Sequence, residues 1–543
     1  MLKNYKKVKS GMLFIQILVL SLSSILSFSV NAESNDFSQL LTQITQKKYK
    51  AKTAAIIQLT KADIPDKVRI LNALLEGEIF YRKSDKTVFY LRKEEGAYLL
   101  ENVLSSEKIK IEKKRGYKKV TINNKLRRLL RASIAELQLG HIDVDIRKAA
   151  VKAFMKNLSA DNIAILEKYN QQETSPDVKE LFELAITIGE LRSDDEKVVL
   201  AAISRLDGKL EPMVRNTLTE LVDDHESKKV KREAEKSLRL ISTKVDLYGK
   251  LETLYFGISL GSVLVLAGIG LAITFGVMGV INMAHGELIM LGAYTTYVIQ
   301  LLMPNSIGLS ILVAIPAAFF VAGLVGVVME RTVIRHLYGR PLETLLATFG
   351  ISLILQQAVR SIFSPLNRTV ITPEWMSGSL EINSVLSLTW NRLYIIAFCL
   401  LVFFALMAAM KKTSLGLQVR AVSQNRQMAR AMGVRSSWVD AMTFGLGAGI
   451  AGVAGVALSL LTNVGPNLGQ AYIIDSFLVV VFGGVGNLWG TLVAGMSLGV
   501  VNKMLEPWAG AVLAKILVLV FIILFIQKRP RGLFPQRGRA AEN

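Results

Sequence analysis

Cysteine is almost absent. The 543 residues hold one, Cys399, inside an apolar run, which excludes an intrachain disulfide and any thiolate metal cluster. Histidine is scarce too, four in all, and a lone His beside one carboxylate cannot fill a zinc site, so no metal is expected. No G-x-x-x-x-G-K-[ST] phosphate loop occurs, so this chain is not expected to hydrolyse nucleotide itself or to bind a cofactor. Acidic residues are thin after position 250: residues 251–543 carry 10 Asp/Glu and 19 Lys/Arg, against 34 and 42 in residues 33–250. No acid, base and nucleophile set stands out in either half, which argues against catalysis.

What is abundant is apolar sequence, at 51% of residues, with a net charge of +21. That charge does not describe a nucleic-acid binder, because no compact basic and aromatic face is visible. Fourteen of the 19 basic residues after position 250 border apolar runs in three stretches: Arg331, Arg335 and Arg340; Lys411, Lys412, Arg420, Arg426, Arg430 and Arg435; and Lys528, Arg529, Arg531, Arg537 and Arg539. Basic residues gather on the cytoplasmic side of spanning segments, so these loops and the 528–543 tail are expected in the cytoplasm, with lipid around the spans between them. The loop from Ser364 to Arg392, balanced in charge, is then periplasmic.

At the N-terminus, Lys3, Lys6, Lys7 and Lys9 precede an apolar stretch to Leu26 and a small-residue site at Val30-Asn31-Ala32. This reads as a signal peptide over 1–32, with an uncleaved anchor as the alternative. Either reading places residues 33–248 in the periplasm. Within them, 78–122 is rich in β-branched and aromatic residues broken by turn signals, which predicts a small β insert of hairpins. Helical periodicity resumes over 124–247, where a phrase recurs at Asp143, Pro176 and Pro212 with apolar anchors Ile146, Val178 and Val214. The spacing is similar to HEAT-type helix pairs, and a plain helical bundle fits equally.

Runs of spanning length lie near 254–275, 283–303, 308–328, 345–363, 393–410, 440–461 and 511–527, with a glycine-broken pair over 471–505. The expected fold is an all-α polytopic membrane protein of about eight or nine segments, preceded by the periplasmic helical domain. A periplasmic start and a cytoplasmic tail require an odd count: seven crossings with a re-entrant hairpin, or nine.

Polar side chains inside such spans cost free energy unless they face protein or water, which makes them pathway candidates. His285 and Glu287 come first. Gly279, Asn282 and Gly286 beside them point to a helix end or local unwinding, so the pair either contacts solute or holds a break together near the cytoplasmic surface. Thr348, Gln356 and Asn463 offer neutral hydrogen-bonding groups, with interhelical bonding as their rival use. Asp475 either meets solute or balances Arg360. Lys503 and Lys515 are expected to snorkel.

Residues 411–434 carry five basic and no acidic groups, and Leu417, Ala421, Met428, Ala429 and Met432 predict a short helix with a small-residue face. Lys412-Thr413-x-x-Gly416-x-x-x-Arg420-Ala421, then Ala429-x-x-x-Gly433-Val434, resembles the coupling loop of permeases in the branched-chain amino-acid ABC importer family. Gly279-Val-Ile-Asn282-Met-Ala-His285-Gly286-Glu287, Leu345-Ala-Thr-Phe-Gly-Ile-Ser, Gly483-Gly-Val-Gly486-Asn487 and Arg529-Pro-Arg-Gly532-Leu533 extend the resemblance over 251–535. It implies a bacterial inner-membrane subunit working with cytoplasmic ABC ATPases that use ATP, a second permease subunit and a periplasmic solute-binding protein. A narrower resemblance, carried by the long N-terminal half, Ile122-Asn123-Asn124-Lys125-Leu126-Arg127-Arg128 and Gly486-Asn487-Leu488-Trp489-Gly490-Thr491, is to the urea-importing branch. It implies urea or a short amide as solute, with a branched-chain amino acid as the alternative.

Overall fold

The computed structural model describes residues 37–535 apart from 63, 65, 95–96, 112–113 and 157, so the expected signal segment 1–32 and tail residues 536–543 lie outside the described residues. The chain divides after Ile241 into two compact units.

The first unit begins with helices α1 (37–44), α2 (Tyr49–Lys61) and α3 (Lys67–Glu76). Gly77, at φ +77°, stops α3, since a left-handed residue ends the helical ladder at little cost only when it lacks a Cβ. Five antiparallel strands follow: β1 (Ile79–Arg82), β2 (Val88–Glu94), β3 (Ala97–Asn102), β4 (Lys108–Ile111) and β5 (Tyr117–Lys119), in the order β4-β3-β2-β1-β5. Tyr81 pairs with Val88 and Leu91 with Leu100. Side chains alternate along each strand, so Ile79, Tyr81, Val88 and Tyr90 share a core with Leu59, Leu71 and Leu126 from the helices. The opposite face gathers Phe89, Leu91 and Leu100, and the Arg82 guanidinium lies 5.1 Å from the Phe89 ring centre.

Helices α4 (Asn124–Leu139), α5 (Val144–Met155), α6 (Ala160–Asn170), α7 (Pro176–Glu190), α8 (Glu196–Arg205) and α9 (Pro212–Asp224) complete this unit. Asn123, Asp143, Ser159 and Asp195 cap α4, α5, α6 and α8 by accepting backbone N–H bonds, and proline opens α7 and α9. The recurring phrase of the sequence therefore marks the starts of α5, α7 and α9. Arg147 of α5 grips Glu173, just ahead of α7, through two 2.8 Å bonds.

The second unit contains α10 (Lys228–Met278), whose first turns belong to the first unit, then α11 (His285–Leu302), α12 (Ile307–Thr332), α13 (Pro341–Phe363) and a hairpin of β6 (Ser379–Glu381) and β7 (Ser387–Thr389). It continues with α14 (Trp390–Lys412), α15 (Ser414–Gln424), α16 (Arg426–Ala431), α17 (Ser436–Ser459), α18 (Leu468–Gly483) and α19 (Leu488–Lys528). Among the described residues six helices are long and apolar enough to cross a membrane: α10, α12, α13, α14, α17 and α19. Large apolar side chains such as Phe320 and Leu324 point out of the unit, as lipid-facing positions do. Cys399 is fully buried in α14.

Close helix crossings depend on glycine. A Cβ on Gly292 of α11 would lie 2.0 Å from the Gly452 carbonyl oxygen of α17, so neither helix could keep its place with a larger residue there. Long α19 is bent at Gly510, where φ is +76°. Its first turn meets α18 at Gly483, while the Phe525 ring near its last turn lies edge-on to Phe482 of α18, centres 4.9 Å apart, so α19 doubles back into two antiparallel arms.

Candidate translocation site and the 411–434 loop

The chain breaks between α10 and α11. Residues 279–284 are not helical, Gly279 has φ +65°, and α11 starts at His285, whose Nε2–H donates to the Ala267 carbonyl at 2.8 Å. Ala267 lies about three turns before the end of α10, so the break runs back into the unit. The helix end that Gly279, Asn282 and Gly286 point to is thus the junction of α10 and α11, and the α11 N-terminus is embedded in the unit.

That N-terminus is lined with groups that lack partners. His285 is fully buried; with Nε2 donating, a neutral ring leaves Nδ1 as an acceptor, and Nδ1 has no hydrogen bond. Glu287, 1% exposed, accepts from the Ser352 hydroxyl at 3.1 Å through Oε1, while Oε2 has no partner. Asn282 caps the turn by accepting from Ala284 N–H, leaving its Nδ2 unbonded. Thr348 of α13 supports the non-helical segment by accepting from Met283 N–H at 3.1 Å. The segment thus exposes backbone and side-chain polar groups inside apolar helices, which membrane proteins tolerate where a cavity or protein surrounds them.

Toward the other end of α13, Gln356 Nε2 and Arg360 both donate to Asn467 Oδ1, at 3.1 and 2.7 Å. Asn467 was missed in the sequence. Asn463, the residue named there, is exposed in the preceding loop beside Val464, which pairs with Arg368. Asp475 does not balance Arg360: it accepts from Lys515 at 3.1 Å, and Lys503 likewise pairs with Glu506, so neither lysine merely snorkels. The two glycine-rich motifs near the C-terminus meet, as Leu533 and Phe534 N–H donate to the carbonyls of Phe482 and Gly483.

The 411–434 loop forms two short helices, not one. Thr413 caps α15 by accepting from Gly416 N–H, Arg420 donates to the Met410 carbonyl, and Asn425 caps α16. Gly416 is required because a Cβ there would lie 2.1 Å from the Met410 oxygen; Gly433, at φ +86°, turns the chain after α16. Ala429 packs inward with Val419, Val422 and Val439, and Ala421 packs beside them. The small residues therefore serve internal packing, and the outward face carries Leu417, Met428 and Met432, the last 82% exposed. Lys412, the last residue of α14, is exposed.

Residues 253–526 match the family model described as branched-chain amino acid transport system / permease component. The chain belongs to this permease family. The high-affinity branched-chain amino acid transport system permease protein BraD of Pseudomonas aeruginosa is 29% identical over 297 residues, covering 53% of this chain and 96% of that protein. The corresponding LivH protein of Salmonella typhimurium is 30% identical over 294 residues, 52% of this chain and 94% of its own. LivH of Escherichia coli K12 is 29% identical over the same length. No solved structure matches. As a multi-pass membrane permease, the chain is a transport subunit, and its first 252 residues precede the matched region.

Proposed function

We propose that this permease forms half of the solute pathway of an ATP-driven importer in a bacterial inner membrane, and that the interrupted joint between α10 and α11 lines that pathway. The observation that carries this is the embedded α11 N-terminus, where Asn282, His285 and Glu287 present unbonded polar atoms among helices otherwise packed with apolar residues and glycine. Thr348 shapes the joint, and Gln356 with Asn467 and Arg360 forms a second polar station along α13. Asp475 and its partner Lys515 flank the outer side of α18. With both arms of α19 and the shorter α11 and α18 counted, the unit makes nine passes. The basic loops then lie in the cytoplasm and residues 33–248 in the periplasm, where the helical first unit receives the solute-binding protein.

Lys412, Thr413, Gly416, Arg420, Ala421, Ala429 and Gly433 build the α15–α16 pair, and its outward Leu417, Met428 and Met432 dock a cytoplasmic ATPase. A second permease subunit completes the pathway, and ATP is used by the partners. For the solute, the names of the relatives favour a branched-chain amino acid. Urea is the second reading, supported by the likeness of the first unit and of residues 486–491 to the urea-importing branch. The test is ATP-dependent uptake into proteoliposomes holding the complete complex, with labelled leucine and labelled urea offered in parallel. Uptake of neither by an assembled, ATP-hydrolysing complex would refute both solutes, and uptake without ATP would refute the importer.

A further inference from the structure

A second buried polar cluster lies apart from the joint, where α12, α16 and α17 meet. Asp440 of α17 is 1% exposed and accepts from both guanidinium nitrogens of Arg426, the first residue of α16, at 2.8 Å each. The same guanidinium lies 4.8 Å from the centre of the Tyr338 ring. Tyr338 in turn donates its hydroxyl to Glu330 Oε1 at 3.4 Å. Glu330, near the end of α12, is fully buried, yet its Oε2 accepts no hydrogen bond; its cation neighbour is the more exposed Arg331, with Nε 3.8 Å away. Burial, with the Asp440 and Glu330 carboxylates adding to it, pushes the Tyr338 hydroxyl above its ordinary pKa and keeps it a neutral donor.

Two buried carboxylates on different helices therefore converge on Tyr338, and only Asp440 holds the guanidinium; Glu330 joins the cluster through the Tyr338 hydroxyl, with one oxygen left without a hydrogen bond. A buried carboxylate oxygen without a donor is costly, and a cluster of fixed purpose would do as well with an amide at Glu330. The aromatic face of Tyr338 between the two acids suits a planar guanidinium, which stacks on rings and forks onto carboxylates. The geometry points to a two-seat ion pair in which Arg426 rests on Asp440 in the conformation seen here and moves to Glu330 in the alternate state of the transport cycle. Arg426 is thus a positioning residue, handing movement of α16 from α17 to α12. The inference rests on the reading that α15 and α16 contact the ATPase.

The test uses the complete transporter in proteoliposomes, measuring ATPase co-purification, ATP hydrolysis and solute uptake together. Glu330→Gln keeps the shape and removes the second seat; uptake per ATP hydrolysed is expected to fall roughly tenfold, the range of ordinary coupling effects, with ATPase co-purification unchanged. Were Glu330 only structural, Gln would leave coupling at the wild-type value, and that result overturns the proposal. Arg426→Lys, which keeps the charge but not the fork, is the second variant and is expected to uncouple similarly; wild-type coupling there also overturns it. A Met432→Glu variant separates the two readings. Retained ATPase binding in that variant removes the docking reading and the switch with it, whereas lost binding alongside a normally coupled Glu330→Gln removes the switch alone.

Discussion

The two units bury polar groups in opposite ways. Among the described residues of the first unit, three buried side-chain polar atoms lack a hydrogen bond, on Asn170, Glu211 and Ser237; in the second unit ten do, among them those of Asn282, His285, Glu287 and Glu330. The first unit pairs its charges where water can still reach many of them, as Lys148 does with Asp177, and fills its core with aliphatic and aromatic side chains. The second turns apolar residues outward and uses glycine to bring backbones together, which leaves room inside for polar groups that its own fold does not satisfy. Natural interiors seldom leave such groups orphaned. Three of the ten gather at the α10–α11 joint, and a fourth, Glu330 Oε2, lies at the α12–α17 corner, which makes these two places guides to where this protein works.

The sharpest way to break that contrast is to remove the glycine packing. Gly292→Val places side-chain atoms against the Gly452 carbonyl, and overpacking against backbone is expected to cost about 3 kcal/mol or more. Loss of a monodisperse peak after detergent extraction would register it, while hydrogen exchange in α5 and α7 of the same chain should stay unchanged. Next comes Thr348→Val. It deprives Met283 N–H of its acceptor, and a buried donor left alone costs about 2 kcal/mol. The thermal midpoint of the purified chain should fall, and solute uptake with it. Smaller still is Thr413→Ala, which deletes the α15 cap for about 1 kcal/mol. Faster exchange at the start of α15, with the rest of the unit unmoved, would be the sign.

How much of this was legible in the sequence follows from the range of each interaction. The helices α12, α14 and α17 announce themselves because a spanning run of apolar residues has few alternatives in lipid. The starts of α5, α7 and α9 announce themselves because caps are local. The depth of the α11 N-terminus does not: the bond from His285 to Ala267 depends on where an extended segment leads the chain, and no periodicity encodes that. Asn463 and Asn467 are equally polar in sequence, and only the turn after α17 decides that Asn467 reaches Gln356. The small-residue face of the 411–434 loop misled for a similar reason. Alanine marks close approach, but spacing cannot say whether the approaching surface is a partner or, as here, Val439 of the same chain.

The least disturbing variant at neutral pH is Glu173→Gln, which keeps the shape of the Arg147 grip and part of its bonding. The Arg147 hydrogen bond, opposed by desolvation and helped by Ser175 N–H, holds the Glu173 carboxyl below its ordinary value of 4.5. A depressed carboxylate pKa gives stability that is complete above the unfolded value and lost as pH falls through the folded one. The wild-type first unit should therefore loosen as pH drops below about 4.5 in a way the variant does not. Hydrogen exchange in α5 and α7 of the full chain, corrected for intrinsic rates, should show the two proteins diverging near neutrality only slightly and converging in acid. Parallel curves at every pH would mean that the pair contributes nothing pH-dependent. The first unit would then resemble the second more closely than its paired charges suggest, with an ionised group held by the fold and not by its partner.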